Sequence, residues 1–282
     1  MQAVPVSSSP IRLTSLQSRV HHPVHRALAL ALEHRIGERV EPVLEGDWRV
    51  VREQLFEGHI QLGTLCSPYY LAEQENEHPR LVCLAGLASE SFESLGKPLY
   101  CSKLIVLDSS SFQTVESLRG ARVGYNEPHS LSGHHSLRIF FQERGTPHDF
   151  FGSVFKTGGH RASLRALRAK KVDVVALDST VEDYFLRFDP KPLEELRTLA
   201  TIGPFPHPPL VGHRSLGEER LAQIRLALLS LCEDQGLTEQ LRRFGFHGLL
   251  PYQPEDMQAL AERLKGSSNV RLAPEHHSLV GI

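Results

Sequence analysis

Short apolar runs alternate with amphipathic helix patterns along almost the whole chain, and this constrains the fold more than any other feature. "IRLTSLQ" (11–17) has the pattern of a strand, and a loop holding His21, His22 and Pro23 opens a helix through "VHRALALALEHRIG". "VEPVLE" (40–45) is a strand, and "DWRVVREQLFEG" (47–58) is a helix with Asp47 as N-cap and Gly58 as stop. "HIQLGTLC", "SPYYLAEQ" and "PRLVCLAGL" continue as strand, helix and strand. Parallel neighbours need a crossover long enough to hold a helix, so this order predicts an open parallel α/β sheet.

The second half repeats the theme. "PLYCSKLIVLD" (98–108) is a long strand, "SLRG" a short helix end and "ARVGYNE" a strand. A helix over 131–144 follows, and then "DFFGSVFKTG" leads as a strand into a Gly-Gly-His turn. "HRASLRALRAKK" (160–171) sets Leu164 and Leu167 on one helix face; "VDVVALDS" is a strand and "TVEDYFLRF" a helical segment. "LRTLATIGPFPHPPLVGH" (196–213) is a strand interrupted by four prolines, with helices over 217–235 and at "PEDMQALAERLKG" after it. From Ser267 onward the tail is polar and expected to be mobile. Long extended segments near 99–107 and 198–212 predict hinge strands. The chain then leaves one lobe (1–101 with 207–282), builds a second (102–206) and returns. Ligand sites favour the cleft between two such lobes.

Composition narrows the function. With 282 residues, 40% apolar and 23% charged, the chain is long enough and apolar enough for a packed core. A formal net charge of −2 argues against a nucleic-acid or anionic-membrane surface. No apolar run approaches the roughly 20 residues of a membrane span. The N-terminal stretch lacks a basic start followed by an apolar run, and "ALALAL" (27–32) is short and runs straight into charged residues. The chain as written is therefore expected in the cytoplasm, and in the periplasm if its start is misassigned. Cys66, Cys83, Cys101 and Cys232 are scattered in apolar runs without a C-x-x-C, as buried thiols rather than a zinc or redox pair. His21, His22 and His25 sit together, as do His134 and His135, but without carboxylates or cysteines at ligand spacing. Solvated loop imidazoles are expected there, not a metal, and no cofactor motif is present.

"NEPHSLSGHH" (126–135) lies between a strand and a helix, where unpaired N–H groups and the helix dipole favour an anion. Ser130 and Ser132 fit there as hydroxyl donors to that anion or as plain helix caps.

Three stretches together, "SLRGARVGYNEPHSLSGHHSLR", "FKTGGHRASLRALRAKKVDVVALDS" and "IGPFPHPPLVGH", resemble the phosphonate-, phosphite- and phosphate-binding components of ABC transporters. These belong to the periplasmic binding proteins of the second topological type. The resemblance covers most of residues 11–250 and is densest over 98–213. It implies two lobes, each a sheet flanked by helices, with the ligand cleft between them. It also implies a small tetrahedral oxyanion as ligand, an ABC permease as partner, a monomer, and no catalysis.

Position by position, the resemblance makes Ser130 and Ser132 donors to the oxyanion and lets the backbone approach at Gly133. Leu131 replaces the hydroxyl residue usual between the two serines. His160 of the Gly-His turn donates to a ligand oxygen or caps its helix, with Thr157 on the same turn. Trp48 stands where relatives often carry Tyr, as an aromatic wall or as core, and Tyr100 matches a tyrosine on the crossing strand. Ser67 and Tyr69 lie at a further helix start. His207 stands where aminophosphonate binders carry a carboxylate, so a plain oxyanion is favoured. Asp178 could hold an amine or a shared ligand proton, or cap the next helix. The competing reading is a cytoplasmic enzyme or ligand-sensing module on the same fold. It has only Asp178, His160 and Glu127 from which to assemble an acid–base pair.

Overall fold

The computed structural model describes residues 9–146 and 148–279, so the segment 1–8, part of the stretch read for an export signal, lies outside the described residues. The chain first lays down β1 (Ile11–Ser15), β2 (Val40–Val43), β3 (Leu62–Thr64) and β4 (Leu81–Ser89). Between them run α1 (His22–Ile36), α2 (Trp48–Phe56) and α3 (Ser67–Gln74). It then crosses to β5 (Leu99–Leu107), β6 (Arg122–Tyr125), β7 (Ser153–Lys156), β8 (Val174–Asp178) and β9 (Leu196–Pro206). These are interleaved with α4 (Ser136–Glu143), α5 (His160–Arg168) and α6 (Ser179–Phe188). It returns through β10 (Pro209–His213), α7 (Glu218–Ser230), α8 (Gln235–Arg243) and β11 (Phe246–Leu250), and ends with α9 (Pro254–Gly266) and β12 (Glu275–Ser278).

The described strands form two six-stranded sheets, ordered β11-β4-β10-β3-β1-β2 and β12-β7-β6-β8-β5-β9. Two sheets flanked by helices are the two-lobed architecture expected from the sequence. Neither sheet is purely parallel, however. β10 runs antiparallel to β3 and β4, and β5 runs antiparallel to β8 and β9. These strands adjoin the crossings. They arrive from the other sheet rather than over a helix on the same face, so the geometry of a βαβ unit does not bind them.

Under the first sheet, Val24, Leu28 and Leu32 of α1 meet Leu221, Ile224 and Leu228 of α7. Each fully buried leucine contributes about 2 kcal/mol of transfer free energy. In the second, Leu164 and Leu167 of α5 pack with Val181 and Phe185 of α6, as their helical spacing requires. The end of the chain departs from expectation. Leu260 of α9, then Val270, Leu272 and Ala273, are buried in the core of the second sheet, and β12 pairs with β7. Residues 254–278 therefore belong with the second sheet, not the first lobe, and are not a free polar tail. Alternating apolar side chains and a backbone bond from Phe151 N–H to the Leu272 carbonyl (2.9 Å) hold the segment down. Cys232, expected to be buried, is exposed. Among the described residues no helix is long and apolar enough to cross a membrane.

Candidate functional site

A cavity of about 650 Å³ opens between the sheets. Trp48, Ser130, Ser132, His160 and Asp178 all line it, so the structure brings these predicted residues together from three separate helix starts and a strand end. Gly133, Thr157, Tyr100, His207 and Ser67 do not line it.

The Ser-rich turn is closed by its own side chains. Ser130 is extended (φ −72°, ψ 127°) and its Oγ accepts the Gly133 N–H at 3.0 Å, capping the wide turn Leu131–His135 that leads into α4. The Leu131 N–H donates to Cys66 Sγ, which reaches over from α3 at 3.2 Å. Ser132, 3% exposed, donates its hydroxyl to Asp178 Oδ2 at 3.0 Å, while its carbonyl accepts from Ser102 and Ser136. The Ser132 hydroxyl is thus already spent on Asp178, and Ser130 Oγ serves its own turn as an acceptor. Gly133 is required for another reason: a Cβ there would lie 1.7 Å from Asn126 Oδ1. Asp178 caps α6, accepting the Thr180 N–H at 2.9 Å and its hydroxyl at 2.6 Å, so three donors converge on one carboxylate.

The Gly-Gly-His turn is different. Gly159 is the N-cap of α5 and offers no side chain, and the first helical bond is Ser163 N–H to the Gly159 carbonyl. The amides of His160, Arg161 and Ala162 precede that bond, and all three residues line the cavity. A Cβ built on Gly159 would meet nothing within 4 Å. The positive end of the α5 dipole therefore stands open to the cavity.

His160 is 8% exposed and does not donate through Nε2. Asn126 Oδ1 accepts the Glu127 N–H (2.8 Å), which turns Asn126 Nδ2 toward His160 Nε2 (3.1 Å). Nε2 is then an acceptor, and the ring proton sits on Nδ1. Burial lowers the His160 pKa, with the Asp178 charge opposing. Thr157 is spent inside the fold, bonding the Tyr125 carbonyl (2.8 Å) and Ser163 Oγ (2.6 Å). Tyr100 is fully buried, and burial raises its pKa well above the usual phenol value. His207 stacks edge-on between Tyr100 and Phe246, each 5.5 Å away, and burial lowers its pKa. Ser67, fully buried at the start of α3, has an unpartnered Oγ. Trp48 forms an aromatic wall backed by Arg49 and Arg52, 4.9 and 5.5 Å from the ring centroid. Tyr69 lines the cavity with its ring 4.6 Å from His129 on the facing wall.

Sequence reasoning passed over residues 14–20, which line the cavity together with His21 and His22. Their position at the carboxyl end of the first strand was the available signal, since open α/β sheets bind ligands there. His21, His22 and His25 are buried, not solvated as expected. His25 is fully buried, with Nδ1 donating to the His21 carbonyl and Nε2 accepting from Thr64, both at 2.9 Å; burial pushes its pKa down to about 3. Among the described residues no cluster of three or more His, Cys, Asp or Glu is set to hold a metal.

The family model for periplasmic substrate-binding proteins of ABC phosphonate transporters matches residues 14–257. No curated protein matches the chain in sequence. The fold is shared with PhnD1 from Prochlorococcus marinus, solved with methylphosphonate (TM-score 0.76, 13% identity, 92% of this chain and 98% of that chain). It is also shared with PA3383 from Pseudomonas aeruginosa, a binding protein component of an ABC phosphonate transporter (TM-score 0.77, 15% identity, 93% and 87%). XAC2383 from Xanthomonas citri, solved with ATP, is similar at a TM-score of 0.69 and 18% identity, over 93% of this chain and 98% of that one.

Proposed function

Because this chain belongs to the family of periplasmic substrate-binding proteins of ABC phosphonate transporters, we propose that its cavity captures an oxyanion of the phosphonate, phosphite or phosphate type for delivery to an ABC permease. The observation that carries this reading is the uncapped start of α5, open to a cavity between two sheets. The ligand oxygens accept from the N–H groups of His160, Arg161 and Ala162, and Trp48 covers the apolar part of the ligand.

Asp178 sets the selectivity. A carboxylate in the cavity repels a fully ionised oxyanion but accepts a hydrogen bond from a ligand hydroxyl or ammonium. His207, the residue that favoured a plain oxyanion, does not line the cavity, so an amine-bearing phosphonate returns as a substrate. Two features speak for binding without catalysis. Ser132 is bonded to a carboxylate rather than to an imidazole base, and burial pushes the Cys66 thiol up to about 12. The family supports a periplasmic setting for this work.

Thermal unfolding against phosphate, phosphite, methylphosphonate, aminoethylphosphonate and sulfate tests the reading. A true ligand at a hundredfold excess over its Kd adds about 2.7 kcal/mol to the native state. Stabilisation by at least one protonated or amine-bearing phosphorus oxyanion, and none by sulfate, is expected. No shift with any phosphorus oxyanion rules the function out.

A further inference from the structure

Besides the start of α5, the cavity has a second polar lining, and it belongs to the overlooked run 14–20. Arg19 is exposed, lines the cavity and has no carboxylate partner among the described residues. The other guanidinium on the lining, Arg161, is paired with Asp189 at 3.1 Å. The carboxylates that line the cavity are themselves engaged. Glu45 lies 3.4 Å from Arg26, Asp47 caps α2, Glu127 pairs with Lys156 at 2.8 Å, and Asp178 holds Ser132 and Thr180. On the same run, Gln17 lines the cavity and its Nε2 is buried without a partner.

Such a lining suits an acceptor-rich anion. The cavity volume, about 650 Å³, falls in the range that encloses drug-sized ligands, far more than one tetrahedral oxyanion fills. We propose that the ligand is two-ended: its phosphorus oxyanion sits at α5, and a second anionic group, a carboxylate on a short alkyl chain, reaches Arg19 and Gln17 elsewhere on the same cavity lining. This rests on the reading above that an oxyanion occupies the start of α5. Arg19 then acts as a specificity residue that relatives binding only a small phosphonate do not need.

Calorimetric titration of the intact protein with carboxymethyl-, carboxyethyl- and carboxypropylphosphonate, each beside the alkylphosphonate of equal length, tests the proposal. At least one carboxylated member is expected to bind about tenfold or more tighter than its alkyl match, the range of a hydrogen bond to a charged group. In Arg19→Ala that advantage should collapse, and Arg19→Lys should recover part of it. Equal affinity within every pair, or an Arg19→Ala loss that is the same for both members, overturns the second subsite while leaving the oxyanion site standing. If no phosphonate of either series binds, the oxyanion reading itself fails and this proposal falls with it.

Discussion

Two helix starts face the same cavity from the second sheet, and they use their backbone donors in opposite ways. At the Ser-rich turn, Ser130 Oγ takes the Gly133 amide, Cys66 Sγ takes the Leu131 amide, and Ser132 is committed to Asp178. At α5, Gly159 supplies no cap and the first-turn amides remain open. Both starts carry a helix dipole and small polar residues, so dipole and composition alone do not make an anion site. What decides is whether the chain supplies its own acceptor. A helix start that caps itself gains stability, and one left uncapped keeps its donors for a ligand.

The largest effect should come from converting the open start into a closed one. Gly159→Asp puts a capping carboxylate where a Cβ meets nothing within 4 Å, at a φ of 170° that any residue adopts. The helix should gain only about a few tenths of a kcal/mol, because Gly is itself a tolerated N-cap, while oxyanion affinity falls about a hundredfold or more, because the carboxylate takes the donors and repels the ligand. Calorimetry and denaturant unfolding of the one variant read both changes. Undiminished binding would mean that α5 is not the seat.

Acid sharpens the contrast from the other side. At the closed start, His134 Nδ1 donates to the Pro128 carbonyl at 2.7 Å, and burial pushes its pKa down to about 4. The unfolded imidazole titrates near 6.5, so between these values the unfolded chain binds more protons than the native one. Stability is therefore full above about pH 6.5 and is lost as pH falls toward 4. By about pH 5 the loss from His134 should be about 1–2 kcal/mol. His134→Gln should flatten denaturant-derived stability against pH by that share, leaving the slope due to the other buried imidazoles, among them His25 and His135, pushed down to about 3, and His207, pushed down to about 4. An unchanged slope would mean that His134 is not held neutral by the closed start.

The sequence made the alternation of strands and helices legible because each apolar stripe is a local pattern; Leu164 and Leu167 on α5 needed no tertiary knowledge. The two crossing segments were equally visible as long extended runs. The roles of polar side chains were not, because their partners lie far off in the chain. Ser132 was taken for a ligand donor, but its acceptor is Asp178, 46 residues downstream. Gly133 serves the side chain of Asn126, and Thr157 serves Tyr125 and Ser163. The tail reads as polar because Val270, Leu272 and Ala273 are a few apolar residues among polar ones, and their burial depends on a surface built some 120 residues earlier. Gln17 and Arg19 carry no periodic signal, so only the position of their loop marked them.

The smallest effect tests the closed start directly. In Ser130→Ala the Gly133 amide loses its acceptor, and removing an N-cap hydroxyl costs about 1 kcal/mol. If the Ser-rich turn were the anion seat, the same change would also strip a donor from the ligand, and affinity would drop about tenfold or more. If the turn caps itself, stability falls and affinity stays within about twofold, because Ser130 Oγ is acting as an acceptor toward its own helix. The ratio of the two losses, from denaturant unfolding and calorimetry on one variant, is thus diagnostic. A stability loss without an affinity loss assigns the ligand to α5; an affinity loss without a stability loss returns it to the Ser-rich turn and reverses the contrast between the two starts.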